Sequence, residues 1–229
     1  MDISVIIPTH NEEANIGKLI ESIRNVFTGL PSSYEIIIVD VGSTDKTREK
    51  AEKAGARVIV QKLPGYGGAL IEGFKMAHGD YFITMDADLS HNPVFIVEML
   101  SNKERGELII ASRYIAGGSA DIGIFRKTLS IILNRIFTSI LGLPFKDISS
   151  GFRMYHRKAI ESIDITAKNF DVLEEILIKI HSSGMNILEI PFHYQTRESG
   201  KSHAKLIEFG ISYLKTLYKM RKLKNTLKQ

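Results

Sequence analysis

The chain has 229 residues, 44% hydrophobic and 24% charged, with a formal net charge of +4 and no cysteine. That length supports a sizeable core in one large domain or two small lobes, and the composition is ordinary for a globular protein. Disulfides and thiolate metal sites are excluded, which suits a reducing cytosol. Neither a signal peptide nor an apolar run of the ~18 residues that a spanning helix needs is expected. From Lys201 onward eight Lys/Arg face Glu208 alone, giving +7, while the rest of the chain is −3. Such a tail can serve nucleic acid, an acidic partner or an anionic membrane. The clustered aromatics of a nucleic-acid stacking platform are lacking, so no nucleic acid is expected.

Short Val/Ile-rich runs bounded by turn residues predict strands at Ile3–Ile7, Glu35–Val39, Arg57–Gln61, Tyr81–Met85 and Leu108–Ala111. Between them, helices are predicted at Glu12–Phe27, Thr44–Ala54, Ala69–Ala77 and Pro93–Leu100. In the first, Ile16, Leu19, Ile20, Ile23 and Phe27 recur at helical spacing. The alternation predicts an α/β fold with a mostly parallel sheet flanked by helices. Ligands then bind beyond the carboxyl ends of the strands.

The second half reads differently. Phe125–Leu141 is a helix apolar over a wider arc than one buried face needs, with Leu129, Ile132 and Ile136 among its apolar positions. Phe170–His181 is a second helix, Asn186–Pro191 a strand with Pro191 at its edge, and Thr196–His203 a polar loop. The last helix, Leu206–Leu227, carries Leu206, Phe209, Tyr213, Leu217, Met220 and Leu227 on one stripe, with Lys215, Lys219, Arg221, Lys222 and Lys224 beside it. That is the pattern of a helix lying on an anionic membrane surface, or of a terminal helix packed on the body or on a second copy.

Polar clusters follow three strands: Pro8-Thr9-His10-Asn11-Glu12, Asp40-Val41-Gly42-Ser43-Thr44-Asp45, and Asp86-Ala87-Asp88. Two carboxylates one residue apart at the end of a buried strand cost desolvation unless a cation sits between them. Hard oxygen ligands suit Mg²⁺ or Mn²⁺ shared with phosphate. The alternative is a pair of helix caps or surface loop residues. Asp45 reads as a first-turn acid behind a Ser43 or Thr44 cap. His10, His78 and His91 lack metal-ligand spacing and read as surface or loop histidines. Pro64-Gly65-Tyr66-Gly67-Gly68-Ala69 lacks the last glycine of a dinucleotide fingerprint, because position 70 is Leu70. A phosphate-closing loop or a plain turn remains.

Taken in order, Ser4–Glu12, Val39–Asp45 and Met85–His91 resemble the inverting family-2 glycosyltransferases of GT-A fold. Ser112-Arg113-Tyr114, Phe125-Arg126-Lys127, Ser149–Arg153, Glu175–Lys179 and Glu189-Ile190-Pro191 resemble the dolichyl-phosphate mannosyltransferase and polyprenyl-phosphate glycosyltransferase branch. The resemblance runs over about Met1–Lys215. It implies one domain over 1–229, with a nucleotide-sugar and metal half at 1–124, an acceptor half at 125–200 and a basic amphipathic helix at 201–229. It also implies transfer of a sugar, mannose from GDP-mannose as first choice, to a polyprenyl phosphate by a protein peripheral to the cytoplasmic face of a membrane. A UDP-sugar with a hydroxyl acceptor, or a silent nucleotide-sugar binder, are the alternatives.

By that resemblance Pro8, Glu12, Asp40, Asp86 and Arg197 line the nucleotide-sugar pocket. Asp86, Asp88 and Ser90 hold Mg²⁺ or Mn²⁺. Arg113, Arg126 and Ser130 receive the acceptor phosphate, and Asp88, Arg113 and Arg126 carry the catalysis. Three positions depart from the family pattern: Val41 where a second Asp is common, Ser90 where Gln is usual, and His203 where Lys is usual. They bear on the base recognised, the metal and the diphosphate.

Overall fold

The computed structural model describes residues 1–196 and 206–227. Five parallel strands come first: β1 (Ile3–Thr9), β2 (Tyr34–Asp40), β3 (Arg57–Val60), β4 (Tyr81–Thr84) and β5 (Leu108–Ser112). They join β7 (Arg153–His156) and β8 (Ile187–Pro191) in a seven-stranded sheet of order β3-β2-β1-β4-β7-β5-β8. β7 alone runs antiparallel, wedged between β4 and β5, with Arg153 opposite both Thr84 and Ile110. β6 (Ser119–Ala120) and β9 (His193–Tyr194) form a separate two-stranded ribbon. The central strands are apolar on both faces because helices cover both.

One face is covered by α1 (Ile16–Thr28), α2 (Thr47–Lys53) and α4 (Phe95–Ser101). The other carries α3 (Gly65–Met76), α5 (Ile124–Leu141), the short α6 (Arg157–Glu161), α7 (Val172–Ser182) and α8 (Leu206–Thr226). In α1 the five residues expected from periodicity are the buried ones. Each such side chain is worth about 1.5–3 kcal/mol of burial. Among the described residues no helix is long and apolar enough to cross a membrane.

Several boundaries differ from expectation. α1 starts at Ile16 rather than Glu12, because the Glu12 carbonyl accepts from Asn15 N and Ile16 N in a turn around the end of β1. α2 starts at Thr47 with Lys46 in the N-cap position, and Asp45 just before it accepts from the Thr47 N–H and hydroxyl. Neither Ser43 nor Thr44 plays that part. The glycine-rich stretch is the first turn of α3, not a phosphate loop: Gly67 N and Gly68 N both donate to the Lys168 carbonyl. Side chains there would collide, since a Cβ on Gly67 would stand 2.4 Å from the Ala167 carbonyl oxygen. In α8, Leu217 and Met220 are buried against the body, while Leu227 is exposed.

Gly73 lets α3 lie close on β1, where an added Cβ would meet Ile6 Cγ2 at 2.4 Å. Gly73→Ala gains helix propensity but overpacks this contact, a cost of about 1–3 kcal/mol. Urea unfolding should show a lower midpoint for the variant with an unchanged slope. A midpoint at or above wild type would mean that the layer yields freely.

Candidate active site

The carboxyl edge of β1, β2 and β4 is built by loops that lace into one another. Asn11 sits at φ 55°, its N–H donating to Ser43 Oγ and its side-chain oxygen accepting from Thr44 N. Glu12 N donates to Thr47 Oγ1, and Glu13 N donates to Asp45 Oδ2. Asp40 is completely buried at the end of β2, where both its oxygens accept from Ser43 N and Arg48 stands 3.5 Å away. Pro8 lies in β1 opposite Val39. Glu12, part-buried, accepts from Asn15 Nδ2 at 2.7 Å. So Pro8, Glu12 and Asp40 stand on one rim, with Val41 beside them.

Asp86 and Asp88 follow β4. Asp86 remains about a third exposed while Asp88 is 5% exposed. Asp88 Oδ1 accepts from both Ser90 N and Ser90 Oγ, at 3.1 and 2.5 Å. Leu89 between them takes a left-handed φ of 64°, a strained state for a bulky residue. The Ser90 hydroxyl thus donates to Asp88 and helps to orient it. Hard carboxylate oxygens suit Mg²⁺ or Mn²⁺. Among the described residues no set of three His, Cys, Asp or Glu could hold a metal. The fit is therefore to a cation that takes part of its shell from phosphate and water.

His91, expected at the surface, is buried at 3% exposure. Its Nδ1 accepts from Asp86 N at 3.0 Å, and its ring stacks on Phe152. Burial lowers its pKa, against the pull of Asp86 and Asp88. Tyr66 is the other residue that the sequence did not single out. It stacks on Phe170, and its hydroxyl fills the space left by Gly151, where a Cβ would lie 3.1 Å from it and 3.5 Å from Asp86 Oδ1. His10 and His78 are exposed, as expected.

Across the edge lies Arg113, just past β5. Nε and Nη2 make a 2.7 Å fork onto the fully buried Asp147, and Nη2 also reaches Ser149. Burial works against the Arg113 charge, but Asp147 outweighs it and the pKa is raised. The fork expected to grip phosphate is therefore taken by Asp147, which leaves the Nη1 edge. The guanidinium lies 4.9 Å from the Tyr114 ring centre, and Tyr114 OH donates to Ser130 Oγ at 2.7 Å. Arg126 stands one helical turn before Ser130 on α5, exposed and without a partner among the described residues. Arg113, Ser130 and Arg126 thus fall on one side of the edge. Arg197, like His203, lies outside the described residues.

A sheet of this order, with Asp-x-Asp after β4 and an antiparallel strand wedged beside it, defines the GT-A class of fold. Residues 4–164 match the family described as glycosyl transferase family 2, and the chain belongs to that family. It is 36% identical over 97% of its length to a dolichol-phosphate mannosyltransferase of Pyrococcus furiosus. It is 30% identical over 92% of its length to an undecaprenyl-phosphate 4-deoxy-4-formamido-L-arabinose transferase of Photorhabdus laumondii. The chain spans 64% and 62% of the length of those two relatives. A solved glucosyl-3-phosphoglycerate synthase of Mycobacterium tuberculosis, with Mn²⁺, UDP and phosphoglyceric acid bound, superposes with a TM-score of 0.75 at 26% identity. That match covers 96% of this chain and 78% of the synthase.

In the first turn of α7, near Arg153 and Asp171, Glu174 Oε2 is enclosed without a hydrogen-bond partner. Burial pushes its pKa from 4.5 to about 7, only partly offset by a backbone hydrogen bond and the Arg153 charge. A carboxyl raised in the folded state stabilises the fold fully below its unfolded value and loses that contribution as pH rises through the folded one. Glu174→Gln should therefore melt at higher temperature than wild type at about pH 8, with the two converging towards about pH 5. Parallel melting curves of the two proteins at both pH values would show that Glu174 does not titrate in this window.

Proposed function

We propose that this chain transfers a sugar from a nucleotide-sugar onto a polyprenyl phosphate at a membrane surface. The observation that carries the reading is the state of Asp147. A hydroxyl acceptor needs a base, and Asp147 is the carboxylate that stands against the acceptor-side arginine, Arg113. It is fully buried and accepts from Arg113 N, Nε and Nη2 as well as from Ser149, so it anchors an arginine and is not poised to take a proton. A phosphate monoester needs no base, because its second pKa of about 6 leaves it largely dianionic at neutral pH.

In this reading Pro8, Glu12 and Asp40 border the nucleotide, and Asp86 and Asp88 hold a divalent cation on the donor diphosphate. When bound, that cation offsets the charge building on the leaving nucleoside diphosphate. A phosphate oxygen attacks the anomeric carbon from the opposite face, the bond to the diphosphate breaks, and the configuration inverts. The acceptor anion must be held against the donor's negative charge. Arg113, rigid on Asp147, offers Nη1, while Arg126 and Ser130 approach from α5. GDP-mannose is the first-choice donor, supported by the name of the Pyrococcus relative. UDP-sugars come next, supported by the nucleotide in the Mycobacterium synthase. Arg197 belongs to the donor side in this proposal, and the cytoplasmic face is the proposed location.

The membrane contact falls to α5. Its Phe125 is 71% exposed, and Ile132, Ile136 and Ile140, each four residues from the next, are 44–48% exposed. Phe137 and Leu141 face the core instead. This stripe begins beside Arg126, so a lipid phosphate at Arg126 would send its tail along Ile132 and Ile136. α8 contributes charge more than apolar surface, because Leu217 and Met220 are already buried while Lys215, Arg221 and Lys222 are exposed.

Two outcomes test the proposal. Arg126→Ala should raise KM for a short water-soluble polyprenyl phosphate by about 10–100-fold, the worth of a charge-assisted hydrogen bond of about 1.5–3 kcal/mol. Nucleotide affinity by calorimetry should be unchanged. Wild-type acceptor kinetics in that variant, or transfer to free sugars with none to polyprenyl phosphate, would replace the phosphate acceptor with a hydroxyl one. Separately, Ile136→Glu should weaken co-sedimentation with anionic vesicles without altering turnover of the short acceptor. Equal sedimentation of both proteins would move the membrane contact off α5.

A further inference from the structure

We propose that His91 is the positioning residue that sets the metal-binding geometry of Asp86, and that the aromatic box around its ring is built to hold it in one orientation. The inference rests on the reading of Asp86 as a cation ligand. A backbone N–H can only donate, so the 3.0 Å contact from Asp86 N makes His91 Nδ1 an acceptor. The neutral ring therefore carries its proton on Nε2. That nitrogen lies 3.7 Å from Asp86 Oδ2, beyond hydrogen-bond length but near enough for its N–H dipole to act on the carboxylate. One imidazole thus fixes the Asp86 main chain by a hydrogen bond and places its other nitrogen near one carboxylate oxygen.

The ring has no freedom to turn away. It stacks on Phe152 at 5.0 Å with a 15° interplanar angle, and meets Phe192 and Tyr194 edge-on at 5.9 and 5.7 Å. Phe95 closes the box behind Phe152 and Phe192. These residues come from α4, from the turn into β7 and from the segment around β9, so the box exists only once the whole sheet is assembled. Nothing about it is needed for burial alone, since a phenylalanine would fill the same space. What phenylalanine would lack is the acceptor for Asp86 N and the donor beside Oδ2. Tyr194 also lies 5.7 Å from the Arg113 guanidinium, so the ring that steadies His91 touches the acceptor side as well.

Groups that orient a metal ligand typically change metal affinity by 10–100-fold when removed. His91→Phe keeps the box and removes both nitrogens. His91→Asn places an amide oxygen near the position of Nδ1 and so retains the acceptor. Free Mn²⁺ would be followed by electron paramagnetic resonance with GDP, and again with UDP. His91→Phe is expected to bind Mn²⁺ 10–100-fold more weakly, while nucleotide binding in chelator stays at the wild-type level. His91→Asn is expected to recover most of the loss. Wild-type Mn²⁺ affinity in His91→Phe, or the same loss in both variants, would overturn the proposal. An independent arm needs neither metal nor turnover: nitrogen NMR of histidine-labelled wild-type protein should show His91 protonated at Nε2 and bare at Nδ1. The opposite tautomer would overturn the proposal whether or not the chain transfers sugar, and would do so even if both variants failed to fold.

Discussion

A guanidinium shut away from water has to find every partner within the protein, and Arg153 meets that demand at the centre of this sheet. It is fully buried at the start of β7, and Nε, Nη1 and Nη2 donate to the carbonyls of Ser150, Leu173 and Ile148. Among the described residues no carboxylate lies within ion-pair reach of it. Unpaired buried charge is costly, so these three carbonyls cannot shift independently. They belong to the loop that carries Asp147 and Ser149 and to the first turn of α7. Arg153 therefore fixes the loop that grips Arg113 on one side and the helix that holds Glu174 on the other. The long-range effect of its charge on Glu174 favours the ionised carboxyl, but burial prevails and keeps that pKa high.

The remaining geometry of the carboxyl edge follows from the same preference for rigid, internally satisfied polar groups. Asp40 is held by Ser43 N, Asp88 by Ser90, Asp86 by His91, and Arg113 by Asp147. Among the described residues, the only non-glycine positions with positive φ are Asn11 and Leu89, and both lie in the loops of this edge. Asn tolerates that conformation and Leu does not, so strain is concentrated directly after Asp88, in the turn that brings Ser90 back onto it. A site organised in this way loses little freedom when a charged ligand arrives, because its side chains are already oriented.

Much of this was legible in the sequence. β1 to β5 announce themselves because a parallel strand covered on both faces is a continuous apolar run, and the Asp at the end of β2 or β4 then stands out. The second half was harder to read. β7 begins with Arg153 and ends with His156, so it does not look like a buried central strand until the carbonyl partners of Arg153 are known. His91 has the spacing of a loop histidine, and the rings that bury it lie at positions 95, 152, 192 and 194, which no local pattern connects. Arg113 stood out as a candidate by resemblance, but no local pattern shows that its fork is occupied by a carboxylate 34 residues away. The helix starts were displaced where loop groups bind the backbone of the first turn, the Glu12 carbonyl at α1 and the Asp45 side chain at Thr47. Glycines 65, 67 and 68 left a phosphate-closing loop or a plain turn open, and the structure shows them in close approach to other backbone, at 167 and 168 for Gly65 and Gly67 and at Leu63 for Gly68.

The place of β7 in the sheet also constrains how the chain comes together during synthesis. Strands β1 to β4 can pair as they emerge, but β4 receives its other neighbour only when residues 153–156 arrive, and β5 pairs with β7 and β8, not with β4. A nascent chain ending near residue 124 would thus present one open strand edge on β4 and two on β5. Open edges of apolar strands invite pairing with other molecules. The first half is consequently not a unit that could have been borrowed, split off or expressed alone without aggregation. Its rim of Asp40, Asp86 and Asp88 and the arginines opposite are obliged to mature in a single late event, the insertion of one short strand in the reverse direction.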